Sequence, residues 1–424
     1  MSAHLDYGAI GNGRLLGLIG PDSGLDWLCL PRFDSPSVFA RILDDEKGGT
    51  FRVRAESGPV QGRWEYLKNT NVLRGEFALG DARWEVLDFA PRVLDGEHVD
   101  APLELVRLVR PLAGAPRLAV EFDPRPDYAQ VTPRILEAGD SLLVEPCHVP
   151  LRLVSSAPLA PIAAGRAFTL REPLALVLTI DPRRKAVSLP EAQHLLERTV
   201  TGWRAWARTL ALPDFYDDAV IRSALVLALH AHLDTGSIIA AATTSIPEAI
   251  GTPRTWDYRY CWLRDAAFVV EALRRLAQVS IGERFVHFLR EVAEGGPLQP
   301  LYGVAGEREL PERTLPHLAG FAGTGPVRVG NAAALQQQND LNGELVLGLE
   351  SLLLDPRVVR DDLEVPVRVI YGERDWILPD IAQTVRRLQR DVPHAEVTAL
   401  PECGHFLQEE HPEELARLLA AFFG

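Results

Sequence analysis

With 424 residues the chain is too long for one ordinary domain, and a hydrophobic fraction of 47% beside 24% charged residues excludes global disorder. A formal net charge of −14 excludes a cationic face for nucleic acid or for an anionic membrane surface; it suits a neutral substrate. The four cysteines (Cys29, Cys147, Cys261, Cys403) lie far apart with no CxxC pair, which argues against a zinc site or a disulfide framework.

Reduced thiols of that kind fit a cytoplasm. The first twenty residues lack a basic stretch followed by an apolar one, and no segment offers about 18 consecutive apolar residues. The expectation is a soluble cytoplasmic protein without a leader or a spanning helix.

Residues 1–188 read as β. Short apolar runs such as "GRLLGLIG", "GLDWLCLP", "TFRVRAES", "LELVRLVRPL", "RLAVEFDP", "SLLVEPC" and "LALVLTI" are punctuated by Gly, Pro, Asp and Asn. This spacing predicts an antiparallel β-sandwich. "NVLRGEFALGDARWEVLDFA" places Gly-Asp between two alternating runs and predicts a hairpin.

Residues 189–212 carry Leu195, Leu196, Val200, Trp203 and Trp206 at helical spacing and predict a linker helix. From 213 to 355 the chain reads as helical. "DFYDDAVIRSALVLALHAHL" is apolar around much of its circumference, which implies burial among other helices. "RDAAFVVEALRRLAQ" and "IGERFVHFLREVAE" follow, then long Gly- and Pro-rich loops from 295 to 330. "NAAALQQQNDLNGELVLGLESLLL" forms a fourth helix with Gly343 as a weak point.

Residues 356–424 change texture again. "VPVRVIYG" is a continuous β-branched run of the kind found in parallel strands buried on both faces. A helix, a strand "AEVTALP" and a final helix complete an α/β order.

Chemistry concentrates in "TWDYRYCWLRDAAF", Thr255–Phe268, dense in aromatic residues and read as the start of a helix. Arg264 and Asp265 supply bidentate donors and acceptors for hydroxyls, while Trp262 and Tyr258 offer ring faces for the apolar side of a sugar. The competing structural reading is a buried ion pair at a helix start with the aromatics as core. The segment resembles the signature of glycoside hydrolase family 15, the glucoamylase, glucodextranase and bacterial trehalase group. "DYGAIGNGRLLGLIGPDSGLDWLCLPRFDSPSVFARILDDEKGGTFRV", "YLKNTNVL" with "VLDFAPR", and "LYGVAGERELPERTLPHLAGFAGTGPVRVGNAAALQQQNDLNGE" resemble the same family. The likeness covers about residues 5–350.

That resemblance implies a β-sandwich followed by an (α/α)6 barrel of twelve helices, of which about four are expected here, and inverting hydrolysis of α-glucosides. It implies that Arg264 and Asp265 bind hydroxyls of the non-reducing glucose, with Trp262 and Tyr258 on or near its ring. Trp256, Arg328 and Asn331 sit in matching segments and would approach the sugar. Inversion needs an acid and a base carboxyl about 6.5–9.5 Å apart. In the family both glutamates lie further along the barrel, and no residue here matches either. Glu344 and Glu350 match no motif and read as solvated helix charges; Glu307 and Glu309 lie in a matching loop outside the catalytic part. No motif calls for a metal or an organic cofactor. Helix faces left without barrel partners would favour self-association.

"VRVIYGERDWILP" and "LPECGHFLQEEHPEELARLLAAFF" resemble the end of an α/β-hydrolase of the epoxide hydrolase and haloalkane dehalogenase branch. That resemblance implies Asp375 as the acid and His405 as the histidine of a relay that still needs a nucleophile. "GPDSG", Gly20–Gly24, has the spacing of a nucleophile elbow, but a strand follows it where a helix is required. Three functions therefore stand: a family 15 α-glucoside hydrolase, impaired by the unmatched glutamates; a catalytically inactive glucoside-binding remnant or chimera; and an ester, epoxide or haloalkane hydrolase.

Overall fold

The computed structural model describes residues 5–353, apart from 97 and 339, and 368–423, apart from 392 and 394. The boundary expected at 355/356 lies outside the described residues. Two antiparallel sheets stack over the first part of the chain. One orders its strands 8–11, 16–19, 25–29, 50–55, 117–123 and 168–169, with 37–39 added beside 25–29. The other runs 134–138, 141–145, 152–155, 174–179, 104–113, 82–89, 73–79 and 63–66. The expected hairpin is present: Leu79 pairs with Ala82 across a turn in which Gly80 takes φ +58°, a conformation that costs glycine little.

Between the sheets lies one apolar core, with Ile10, Leu25, Phe39 and Phe51 from one and Trp84, Leu105, Leu153 and Leu176 from the other. Strands 104–109 and 174–179 are buried on both faces. Their alternate residues Val106, Leu108, Ala175 and Val177 pack under Ala192 and Leu196 of the linker helix. A helix laid on the outer face of the sheet explains why "LALVLTI" is apolar at every position but Thr179 although its sheet is antiparallel.

The linker helix spans Leu189–Arg208. Ser188 accepts from the Glu191 N–H and the Glu191 carboxylate accepts from the Ser188 N–H, a reciprocal cap that fixes where the helix starts. Its Trp203 enters a second core built by the helices Asp217–His230, Leu263–Arg275, Ser280–Glu294 and Leu341–Leu353. Leu16 and Phe33 of the sandwich join the same core, so the β and helical parts share buried surface. On the other side of two of these helices, Phe268, Val346 and Leu347 are 54%, 62% and 67% exposed.

The tail pairs 368–372 with 396–400 in parallel, flanked by helices Ile381–Asp391 and Pro412–Phe423. The expectation of a strand buried on both faces fails here. Residues 368–371 are only half-buried, and the local core consists of Leu400, Cys403 and Leu418. Among the described residues these two strands leave an open edge on each side, too little sheet to cover itself. No helix among the described residues is long and apolar enough to cross a membrane.

Candidate functional site

The aromatic segment begins as extended chain, which corrects the expectation that it opens a helix. Tyr260, Tyr258 and Trp256 carbonyls accept from Ala240, Ala241 and Ser245, Thr244 bridges Asp257, and Cys261–Trp262 pairs with Leu301–Tyr302. Helical geometry starts only at Leu263. Extended chain sends successive side chains to opposite faces. Thr255, Asp257, Arg259 and Cys261 are therefore fully buried, whereas Trp256, Tyr258 and Trp262 are half-exposed. Tyr260 departs from the alternation and is buried.

A buried ion pair does exist in this segment, but it is not the one weighed from sequence. Asp257 and Arg259 are both 0% exposed and bind each other bidentately at 2.9 and 2.7 Å. The remaining Arg259 nitrogen donates to the Ser35 carbonyl at 2.9 Å and to Cys29 Sγ at 3.4 Å. Its guanidinium lies 5.8 Å from the Trp27 ring and 5.3 Å from the Tyr128 ring. Burial disfavours the charge, and Asp257 more than offsets this, so Arg259 is held well above its ordinary pKa. The same burial pushes the Cys29 thiol up to about 11, with Arg259 opposing.

Arg264 and Asp265 face outward. Leu263, Ala266, Ala267, Val270 and Leu273 take the inner side of the helix, which leaves Arg264, Asp265 and Phe268 on the other. Asp265 sits in the first turn, where the helix dipole favours a carboxylate; a guanidinium beside it gains nothing from that dipole. Arg264 instead donates to Asp340 at 2.8 Å and to Gln338 at 3.3 Å, with side chains of Arg264 and Asp340 34% and 53% exposed. Asp265 is solvent-facing yet flanked by protein. Partial desolvation raises its carboxyl pKa, and Arg264 works against the rise. Tyr258 and Trp262 stand 6.0 Å apart at 49°, a tilted pair beside this face.

The other matched residues divide. Arg328 lies over the Trp256 ring at 4.8 Å and pairs with Glu312 at 2.6 Å. Asn331 does not face outward as expected. It is buried, donates to the Asp257 carbonyl at 3.0 Å and accepts from the Ala333 N–H, which makes it a capping and bracing residue. Glu307 pairs with Arg32 of the sandwich at 2.6 Å, and Glu309 and Glu350 are exposed. Sequence reasoning missed Asp340, Gln338 and Glu312, the groups that hold Arg264 and Arg328. Cavities of about 800 and 760 Å3 lie elsewhere, one along 134–152 and one beside Asp22, Asp26 and Arg41.

In the tail, His405 Nδ1 lies 2.9 Å from Asp375 Oδ2, and Asp375 Oδ1 accepts from Ile377 and Leu378 N–H groups at 2.9 and 2.8 Å. Desolvation pushes the Asp375 carboxyl up, but the Leu378 N–H and His405 outweigh it and hold the pKa below the ordinary value. The "GPDSG" stretch is a turn between strands 16–19 and 25–29. Its Ser23 is buried and accepts from Arg107 at 2.8 Å, so it offers no elbow.

Residues 6–163 match the family described as "Trehalase-like, N-terminal", and residues 214–377 match "Glycosyl hydrolases family 15". The second match runs past 355 and takes in strand 368–372 and Asp375. A trehalase of Thermoplasma volcanium is 31% identical over 394 residues, covering 88% of this chain and 61% of that protein. A trehalase of Mycolicibacterium smegmatis is 32% identical over 379 residues, covering 80% and 56%. Trehalase 1 of Sulfolobus acidocaldarius is 34% identical over 350 residues, covering 80% and 58%. This chain thus spans about three fifths of the length of these relatives. Its likeness to a putative kojibiose phosphorylase, at TM-score 0.27 and 10% identity over 69% of this chain and 45% of the other, is too slight to bear on the fold. The chain thus matches a trehalase-like N-terminal domain over its β part and glycosyl hydrolases of family 15 over the segment that follows the linker helix.

Proposed function

We propose that the chain recognises the terminal glucosyl unit of an α-glucoside, trehalose foremost, on the face formed by Arg264, Asp265, Tyr258 and Trp262, and that hydrolysis there is impaired. One observation carries this reading: Arg264 and Asp265 stand on an open, aromatic-flanked surface while the neighbouring charged pair is fully buried. A guanidinium and a carboxylate side by side match vicinal hydroxyls, and ring faces match the C–H side of a pyranose. Trehalose is favoured because the relatives named trehalase align across both parts of the chain.

Inverting hydrolysis would further require an acid with a raised pKa and a base on the opposite side of the sugar. Asp340 is engaged with Arg264 and Glu312 with Arg328. The expected outcome is weak binding of trehalose or maltose with glucose release far below that of a full-length trehalase. Glucose release is measured from trehalose, maltose and starch, alongside an Arg264→Ala, Asp265→Ala double variant. Brisk release that the double variant leaves unchanged would show that this face is not the sugar site. The exposed Phe268, Val346 and Leu347 surface also supports self-association, which sedimentation velocity over a concentration series would detect.

The Asp375–His405 contact favours a second reading for the tail, an α/β-hydrolase acid and histidine. That reading predicts hydrolysis of a nitrophenyl ester that is lost in His405→Ala. An unmodified chain with no esterase activity ends it.

A further inference from the structure

We infer that Asp257 and Arg259 are the positioning residues of the outward face, so that the β-domain sets the geometry of the sugar site through them. The inference rests on the glucoside reading above for its ligand, but its structural part stands apart from that reading. Arg259 is inserted between Trp27, Tyr128 and the Ser35 carbonyl, all supplied by the N-terminal domain. Its partner Asp257 belongs to the aromatic strand and also reaches a second segment. Asp257 Oδ2 accepts the Gly330 N–H at 3.2 Å, and Asn331 Nδ2 donates to the Asp257 carbonyl at 3.0 Å.

One carboxylate thus ties three pieces together: the β-domain socket, the strand bearing Trp256 and Tyr258, and the turn bearing Arg328. Because side chains alternate along extended chain, fixing Asp257 and Arg259 on the inner face fixes Trp256 and Tyr258 on the outer one. The Gly330 anchor then places Arg328 over Trp256 at 4.8 Å. An apolar plug could join the domains without desolvating two charges. What the bidentate pair adds is a defined direction and register, the use for which planar guanidinium–carboxylate contacts are suited.

The unmodified chain, the neutral variant Asp257→Asn/Arg259→Met and the milder Arg259→Lys are compared. The neutral variant avoids stranding a buried charge, so it is the one expected to fold. Amide hydrogen exchange is followed in peptides covering 256–262 and 326–332, and trehalose affinity is measured by calorimetry. The expected result is exchange at least tenfold faster in both peptides, with exchange in the sandwich strands 104–109 and 174–179 unchanged, and Arg259→Lys in between. Trehalose affinity should fall about tenfold in the neutral variant. Wild-type exchange in both peptides of a folded neutral variant would overturn the positioning role. If wild type binds no trehalose or maltose while the exchange result holds, the positioning role stands and the glucoside reading falls.

Discussion

Two arginines five positions apart in one motif meet opposite fates. Arg259 is fully enclosed, with its Nε, Nη1 and Nη2 all donating to protein acceptors, and Arg264 is a third exposed and, among the described residues, donates to Asp340 and Gln338. Both sit near an aspartate, in a segment dense in aromatic residues. The difference comes from the chain beneath them: Arg259 lies at an inward position of extended chain, and Arg264 on the outward side of the helix that follows. The comparison teaches that a charged pair beside aromatics is not by itself a site. Its place in the local backbone period decides whether it braces or binds.

The largest effect should come from breaking the inner pair on one side only. Arg259→Ala leaves the Asp257 carboxylate buried and unpaired, and the expected loss is about 3–5 kcal/mol of unfolding free energy, read from urea denaturation. A loss below about 1 kcal/mol would mean that water reaches the pair. Next comes Gly330, which takes φ +83° and where an added Cβ would collide with the Pro311 carbonyl oxygen. Gly330→Ala should cost about 1–3 kcal/mol and loosen Arg328 from Trp256.

The outer pair should behave in reverse. Arg264→Ala with Asp265→Ala should change stability by less than about 1 kcal/mol, because the Arg264–Asp340 bridge is partly solvated. A stability loss as large as that of Arg259→Ala would put the outer pair in the same bracing role and dissolve the contrast.

Smaller still is the pH response around the shared core. Burial lowers the pKa of His230 and His232 below the ordinary histidine value. A lowered folded-state pKa means that the unfolded chain binds protons first. Their contribution is therefore complete above about pH 6.5 and is lost as pH falls toward the lowered values. Denaturation midpoints should drop between pH 7 and pH 5, and less so in a His230→Gln variant. A midpoint that rises over this interval would reverse the assigned sign. In the tail, the depressed Asp375 carboxyl should make the strand pair loosen only below the ordinary aspartate range, as seen by exchange at 368–372.

Much of this was legible in the sequence. The β and helical textures mark the sandwich, the helix at 189–208 and the helices packed beyond it, because period-two and period-3.6 patterns report which faces are covered. Arg264 and Asp265 lie on the outward side of their helix, where the apolar spacing of Leu263, Ala266, Ala267 and Val270 puts them. The inner pair was also readable, from aromatics at 256, 258, 260 and 262 with Asp257 and Arg259 between them. That is a strand's alternation, and attention to the helix that begins beside Arg264 hid it. Asn331 was misplaced because its bracing bonds depend on the Asp257 carbonyl, a partner 74 positions away that no local pattern reveals. Asp340 and Glu312 were missed for the same reason. The tail's "VPVRVIYG" has the texture of a strand buried on both faces, but burial depends on what flanks the strand, and among the described residues 368–372 pairs with 396–400 alone.

The central claim is that the outward face, held from behind by Asp257 and Arg259, reads a terminal glucosyl unit. Calorimetric titration of trehalose into the full chain, and into its Arg264→Ala, Asp265→Ala variant, tests it most directly. The account predicts saturable heat for the unmodified chain and none for the variant. Equal heats for the two, or none for the unmodified chain, would contradict it.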